Sequence, residues 1–294
     1  MAADGRAPPP SGALRAALRR PIFLVTPPRS GSTLLFQTLI QSPGACSIGG
    51  ESHGLIEGIA ALHPRANGWE SNRLGPADAS EAVVGELSRR FLVTVKDRHG
   101  RPASPALRMI EKTPKNSLRI PFFDAAYPDA TFVYLYRDPR QTLSSMMEAW
   151  RSGRFRTYPR LPDWSGLPWS LLLVPGWRGF GTLPLAEIVA RQWAAATDIL
   201  LDDLASLPPE RVRAIAYDAL VGAPQAAVTR LCASLELAWD RSLDGPLPLS
   251  QTTVSPPDPE KWRANEAALE AVWPIVSAAA ARARAFCDER SVAG

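Results

Sequence analysis

Residues 22–40, IFLVTPPRSGSTLLFQTLI, limit what this chain can fold into more than any other stretch. Ile22 to Val25 is a short run of β-formers, the pattern of a strand buried on both faces of a parallel sheet. Pro27 and Pro28 end it, Ser30, Gly31, Ser32 and Thr33 make a small-residue turn, and a helical apolar run begins at Leu34. A strand that passes through such a turn into a helix leaves the first amides of the helix without intrachain partners, at the positive end of its dipole. That combination makes a phosphate site. Arg29 adds a forked cationic donor, and Ser32 and Thr33 add hydroxyls. The plainer alternative is an ordinary strand-to-helix turn with a serine cap. The P-loop of nucleoside triphosphatases, GxxxxGK[ST], is a third reading, but its first glycine and its lysine are missing here.

A chain of 294 residues, 46% hydrophobic and 21% charged, fits a globular α/β protein, with two smaller domains as the alternative to one. A net charge of +4 suits an anionic small ligand and is too weak to specify nucleic acid. Cys46, Cys232 and Cys287 are odd in number and lack metal-ligand spacing, as reduced thiols of a cytoplasmic protein would. Arg15, Arg19 and Arg20 are not followed by an apolar run long enough for a signal peptide or membrane anchor, so a cytoplasmic location without a membrane partner is expected. His53, His63 and His99 lack ligand spacing, and no metal is expected. Residues 1–12 read as disordered, and 1–20 as a disordered or short helical arm ahead of one domain over 21–294.

Along the chain, the glycines around Glu51 and His53 predict a loop or strand end with exposed polar side chains, and residues 63–79 predict a surface loop. Ser80 caps a helix predicted through about Val95. A strand over Ala106 to Ile110 runs into Glu111, Lys112 and Thr113. A helix is predicted over about Leu118 to Tyr127, and Thr131 to Tyr136 is the clearest strand. It ends in Arg137, Asp138, Pro139 and Arg140 and opens a helix over about Gln141 to Arg151. Residues 152–184, rich in Trp, Pro and Gly, read as an insertion that shapes a pocket. Helices over about Leu185 to Leu204 and Ala223 to Leu235 flank a strand over Arg211 to Tyr217. A polar, proline-rich tail over Pro246 to Asp258 holds Ser250 and leads through Lys261 and Trp262 to a terminal helix. Alternating strands and helices predict a doubly wound, mainly parallel α/β sheet. In such sheets ligands sit beyond the carboxyl ends of the strands. Three strand ends carry chemistry: Arg29 to Thr33, Lys112, and Arg137 with Ser145 two helical turns later.

With these three ends in order, the chain resembles the sulfotransferases that use 3′-phosphoadenosine 5′-phosphosulfate (PAPS). PRSGSTLL, residues 28–35, looks like their 5′-phosphosulfate loop. YRDPR, residues 136–140, together with Ser145 looks like their 3′-phosphate element. EKTP, residues 111–114, resembles the lysine segment of the protein-tyrosine and related bacterial branches, and Glu51 stands where those branches place a glutamate base. Tyr217 resembles the tyrosine that borders the nucleotide, and Lys261 the lysine of the C-terminal loop that closes over it.

The resemblance implies PAPS as sulfate donor, PAP as product, no metal, and in-line transfer to a hydroxyl of a small-molecule, natural-product or peptide acceptor. It implies Glu51, Lys112 and Arg29 as catalytic residues. It assigns Arg29, Ser30, Gly31, Ser32, Thr33, Arg137, Ser145, Tyr217 and Lys261 to the nucleotide. His53 is the rival base, because the cytosolic small-molecule branch uses histidine. Alternatives from other classes are a P-loop kinase or hydrolase and a non-catalytic nucleotide-binding protein. The sequence leaves the acceptor and the oligomeric state open.

Overall fold

The computed structural model describes residues 11–248, 253–254 and 258–292. Helix α1 (Ser11–Ala17) leads to β1 (Ile22–Val25), and α2 (Ser32–Leu39) follows the turn beyond it. Then come β2 (Ala45–Ser47), α3 (His53–Glu57), α4 (Glu81–Thr94) and β3 (Lys96–Asp97). β4 (Arg108–Lys112), α5 (Ile120–Ala126), β5 (Thr131–Tyr136) and α6 (Pro139–Ser152) form the middle of the chain. A hairpin of β6 (Arg156–Tyr158) and β7 (Trp169–Ser170) precedes α7 (Leu185–Ala205). β8 (Val212–Ala216), α8 (Tyr217–Gly222), α9 (Pro224–Ser234) and α10 (Glu266–Arg290) follow.

The main sheet has the order β3-β2-β4-β1-β5-β8, parallel except for β3. It is a doubly wound α/β sheet, because successive side chains of each central strand enter different cores. Along β1, Phe23 and Val25 pack with α4, α5 and α7 residues, whereas Ile22 and Leu24 pack with α2 and α9 residues. Leu24 pairs with Lys112 on one side and with Val133 on the other. The chain crosses over β1 between β4 and β5, so a crevice opens beyond β1 at a topological switch point. The ends of all three strands face it.

Residues 152–184 join α6, α7 and α10 in a second core rather than forming a long open loop. Trp169 and Trp177 are fully buried and meet edge to face, with Trp150 and Trp164 against Trp169. Buried Gln192 of α7 locks this core: its amide donates to the carbonyls of Ser170 and Leu172 and its oxygen accepts from the Trp150 indole. The insertion's tryptophans therefore do not line the pocket, and Arg154, Phe155, Arg156, Thr157, Leu171 and Leu172 carry the insertion's contribution to it.

Two further expectations are corrected. Residues 63–79 are not a solvated loop: Ser71, Asn72 and Leu74 are buried. Asn72 reads as polar surface but turns inward, accepting from the Leu173 amide at 2.6 Å and bonding the Tyr158 hydroxyl at 2.6 Å. At the N-terminus, Ser11 and Gly12 are helical rather than disordered, as part of a short helical arm of the kind expected over 1–20, and Leu18 is buried. Residues 1–10 of the expected disordered segment lie outside the described residues, as does Ser250. Among the described residues no helix is long and apolar enough to cross a membrane.

Candidate active site

The turn after β1 is held by its own polar groups. The Thr26 hydroxyl donates to the Leu135 carbonyl at 2.7 Å and the Ser30 hydroxyl to the Pro27 carbonyl at 2.8 Å. Arg29 (φ 68°) and Gly31 (φ 94°) both adopt left-handed backbone. Gly31 is fixed twice over, since a Cβ there would sit 2.5 Å from the Tyr217 ring. Helix α2 starts at Ser32, so its first amides point into the crevice without intrahelical carbonyls ahead of them.

Arg29 and Arg137 stand side by side. The Arg29 guanidinium donates to the Ser145 hydroxyl at 3.2 Å and lies 4.6 Å from the Phe155 ring. Arg137 donates to the Arg29 carbonyl at 3.1 Å and to Gln141 at 3.1 Å, and stacks 4.4 Å from the Tyr217 ring. Burial, and then the charge of Arg137, lower Arg29 to about 10, so it stays cationic at neutral pH. Two adjacent, partly desolvated guanidiniums are the arrangement an anion would stabilise. Asp138 caps α6 by accepting from the Arg140 and Gln141 amides, and Pro139 opens the helix. This cap aims Ser145 and Ser144 at the crevice from the second turn of α6.

Lys112, at the end of β4, is buried. Its ammonium donates to Glu51 Oε1 at 2.6 Å and to Thr33 Oγ1 at 3.1 Å. The other carboxylate oxygen of Glu51 meets His53 Nε2 at 2.7 Å. Burial pushes the Glu51 carboxyl up, but the His53 hydrogen bond and the Lys112 charge outweigh it and hold the group at about 2. One cleft of about 730 Å³ is lined by Arg29, Lys112, Glu51, Arg137, Ser145 and Tyr217, all from strand ends or the turns and helices that follow them.

A model of the sulfotransferase family matches residues 21–167 and 172–241. The chain belongs to that family. It is 24% identical over 221 residues to protein-tyrosine sulfotransferase A of Caenorhabditis elegans, covering 74% of this chain and 50% of that protein. It is 29% identical over 128 residues to protein-tyrosine sulfotransferase 1 of Danio rerio, covering 43% of this chain and 35% of that one. The chain thus spans half the length, or less, of these curated relatives. Among solved structures, a sulfotransferase from Alicyclobacillus acidocaldarius aligns with a TM-score of 0.49 at 18% identity, covering 92% of this chain and 96% of that one. The sulfotransferase domain from the curacin biosynthetic pathway aligns with a TM-score of 0.43 at 18% identity, over 76% of each chain.

Lys261 reaches the same cleft and donates to Glu148 at 2.7 Å. The segment that carries it is pinned by Arg140, whose guanidinium lies between the rings of Trp262 (5.7 Å) and Trp273 (4.2 Å). The sequence reading overlooked Glu148, although a residue three places after Ser145 on a helix shares its face. It gave no role to Glu111 or to the cluster of Glu57, Lys115, Arg119 and Tyr158, of which Lys115 lines the cleft. There Lys115 donates to both Glu57 oxygens (2.8 and 2.9 Å) and to the Tyr158 hydroxyl (2.7 Å), and Arg119 to Glu57 (2.6 Å). Among the described residues no group of three or more His, Cys, Asp or Glu is placed to hold a metal ion.

Proposed function

We propose that this sulfotransferase transfers a sulfuryl group from PAPS to a hydroxyl of a small-molecule, natural-product type acceptor. The observation that carries the reading is the meeting of Arg29, Lys112, Arg137, Ser145 and Glu51 on one cleft of about 730 Å³, a size suited to a nucleotide-scale ligand. The amides of the turn and Arg29 would hold the 5′-phosphate and sulfonate, and Arg137 with Ser145 the 3′-phosphate. Tyr217 would border the nucleotide, and Lys261 would close over it.

In the transfer, a bond forms from the acceptor oxygen to sulfur as the bond from sulfur to the bridging oxygen breaks. Glu51 would take the acceptor proton, and Lys112 and Arg29 would offset the charge left on the departing phosphate. The resting pair implies an order of events. With His53 and Lys112 both bonded to it, the Glu51 carboxyl is held at about 2 and is a weak base. Lys112 turning to the donor's anionic oxygens would remove that cation and raise the basicity of Glu51 at the moment it is needed.

Calorimetric titration with adenosine 3′,5′-bisphosphate and with ADP, on the wild type and Arg137→Ala, tests the donor site. Selective binding of the bisphosphate that is lost in the variant is expected. Equal binding of ADP overturns the assignment. The curated relatives favour a second acceptor class, peptide tyrosine, so an acceptor screen should include tyrosine peptides beside phenols and aliphatic alcohols.

A further inference from the structure

Glu111 is a completely buried carboxylate at the end of β4, one residue before Lys112 and so on the opposite face of the strand. Burial pushes its carboxyl up, against the hydrogen bonds of its polar neighbours and the charge of Lys112, and a buried carboxylate is costly unless it is well hydrogen-bonded. Its Oε1 accepts from the Ser52 hydroxyl (2.6 Å) and the Thr113 hydroxyl (2.6 Å), and its Oε2 from the Asn116 amide (2.6 Å). The Thr113 oxygen in turn accepts the Ser52 backbone N–H at 2.8 Å. Ser52 is fully buried and lies between Glu51 and His53.

Gly49 and Gly50 precede this segment and offer no side chains to anchor it. Among the described residues, the hydrogen bonds that tie residues 49–52 to β4 and Thr113 are those of Ser52 and the Glu51–Lys112 pair itself. One strand end thus holds the segment from both faces. Lys112 grips Glu51, and Glu111 with Thr113 grips the next residue by both its hydroxyl and its amide.

We propose that Glu111 is a positioning residue for sulfuryl transfer, fixing the Glu51–Ser52–His53 segment so that the Glu51 carboxylate stays registered on Lys112 and the acceptor. This rests on the function proposed above. The test uses Glu111→Gln, Ser52→Ala and Thr113→Val in the full chain. The glutamine keeps the volume of Glu111, but its amide nitrogen cannot accept, so at least one of the three bonds is lost. The kcat of Glu111→Gln should fall about 100-fold, as for a displaced reacting group, while the KM for PAPS and the affinity for adenosine 3′,5′-bisphosphate stay within about twofold. Thr113→Val should lower kcat in the same sense by a smaller factor.

A kcat within about threefold of wild type, or a bisphosphate affinity that falls in step with kcat, would overturn the proposal. Should Glu111→Gln not fold, Ser52→Ala and Thr113→Val decide, because they leave the carboxylate in place: unchanged kcat in both overturns it. A second readout needs no acceptor. The imidazole nitrogen-15 shifts of His53, assigned with a His53→Asn control, should move in Glu111→Gln as the contact with Glu51 loosens, and unmoved shifts count against the proposal. A wild type that transfers to no acceptor sinks the proposed function instead, and the histidine signal then decides the positioning role alone.

Discussion

Two carboxylates flank the short helix α3, and they make opposite use of one kind of chemistry. Glu51 precedes the helix and Glu57 ends it. Each bonds a lysine carried by β4 or the turn after it, and in each the cations and hydrogen bonds outweigh burial and hold the carboxyl at about 2. The side chain of Glu51 is 32% exposed on the cleft, whereas that of Glu57 is 11% exposed and shared among Lys115, Arg119 and Tyr158. The first pair can exchange partners with an arriving anion. The second cannot, because parting it would strand charge in a dry interior. Burial lowers Lys115 to about 8, only partly offset by Glu57, so its ammonium is already under strain there. Access and the number of partners separate a reactive ion pair from a structural one; the strength of the pairing does not.

The largest expected effect breaks the comparison at the reactive end. Glu51→Gln should lower kcat by about 1,000-fold, within the usual range for a lost general base, and cost less stability than Glu57→Gln, because it strands one buried cation, Lys112, rather than two. Steady-state rates beside a melting curve check this. Glu57→Gln should give the mirror image. Lys115 and Arg119 lose their counter-charge, so unfolding stability should drop by about 3 kcal/mol while kcat per folded molecule stays within a few-fold. Denaturant titration would show it, and an unchanged midpoint would remove Glu57 from the structural class.

Acid sharpens the contrast. The folded Glu57 carboxyl lies at about 2, below its ordinary 4.5. Its stabilising contribution is therefore complete above about pH 4.5 and is lost as pH falls through about 2. Wild-type stability should decline across that window, and Glu57→Gln should flatten the decline. The smallest effect concerns the partner of the base. His53→Asn should cost about tenfold in kcat, far less than Glu51→Gln, if the carboxylate is the base. A loss equal to or greater than that of Glu51→Gln would move the base to the imidazole.

The centre of the sheet was legible because β1 and β5 are nearly unbroken apolar runs, whereas β4, with Arg108, Glu111 and Lys112 inside it, lies two residues later than its apolar run suggested. Thr131–Tyr136 is read from the sequence residue for residue, and Ser80 caps α4 as its spacing predicts. The turn at Arg29, Lys112 and the Arg137 element were legible for the same reason: each sits where an apolar run stops, and parallel strands stop on one edge. β2 and β3 were missed, since three and two residues carry too little pattern. The ion cluster was invisible because Glu57 and Arg119 are far apart in sequence and nothing local marks them as partners. Asn72 and the insertion tryptophans are complementary cases of what local sequence leaves open. A polar side chain went inside because its partners were there, and aromatic ones turned from the cleft because they had each other.

The backbone at Arg29 has a consequence for how this molecule can change. A non-glycine residue held at φ 68° gives up stability that glycine would recover. A library of variants screened for heat resistance alone should therefore drift toward glycine at position 29, discarding the guanidinium beside Arg137. The most robust descendants would be the ones least able to hold an anion.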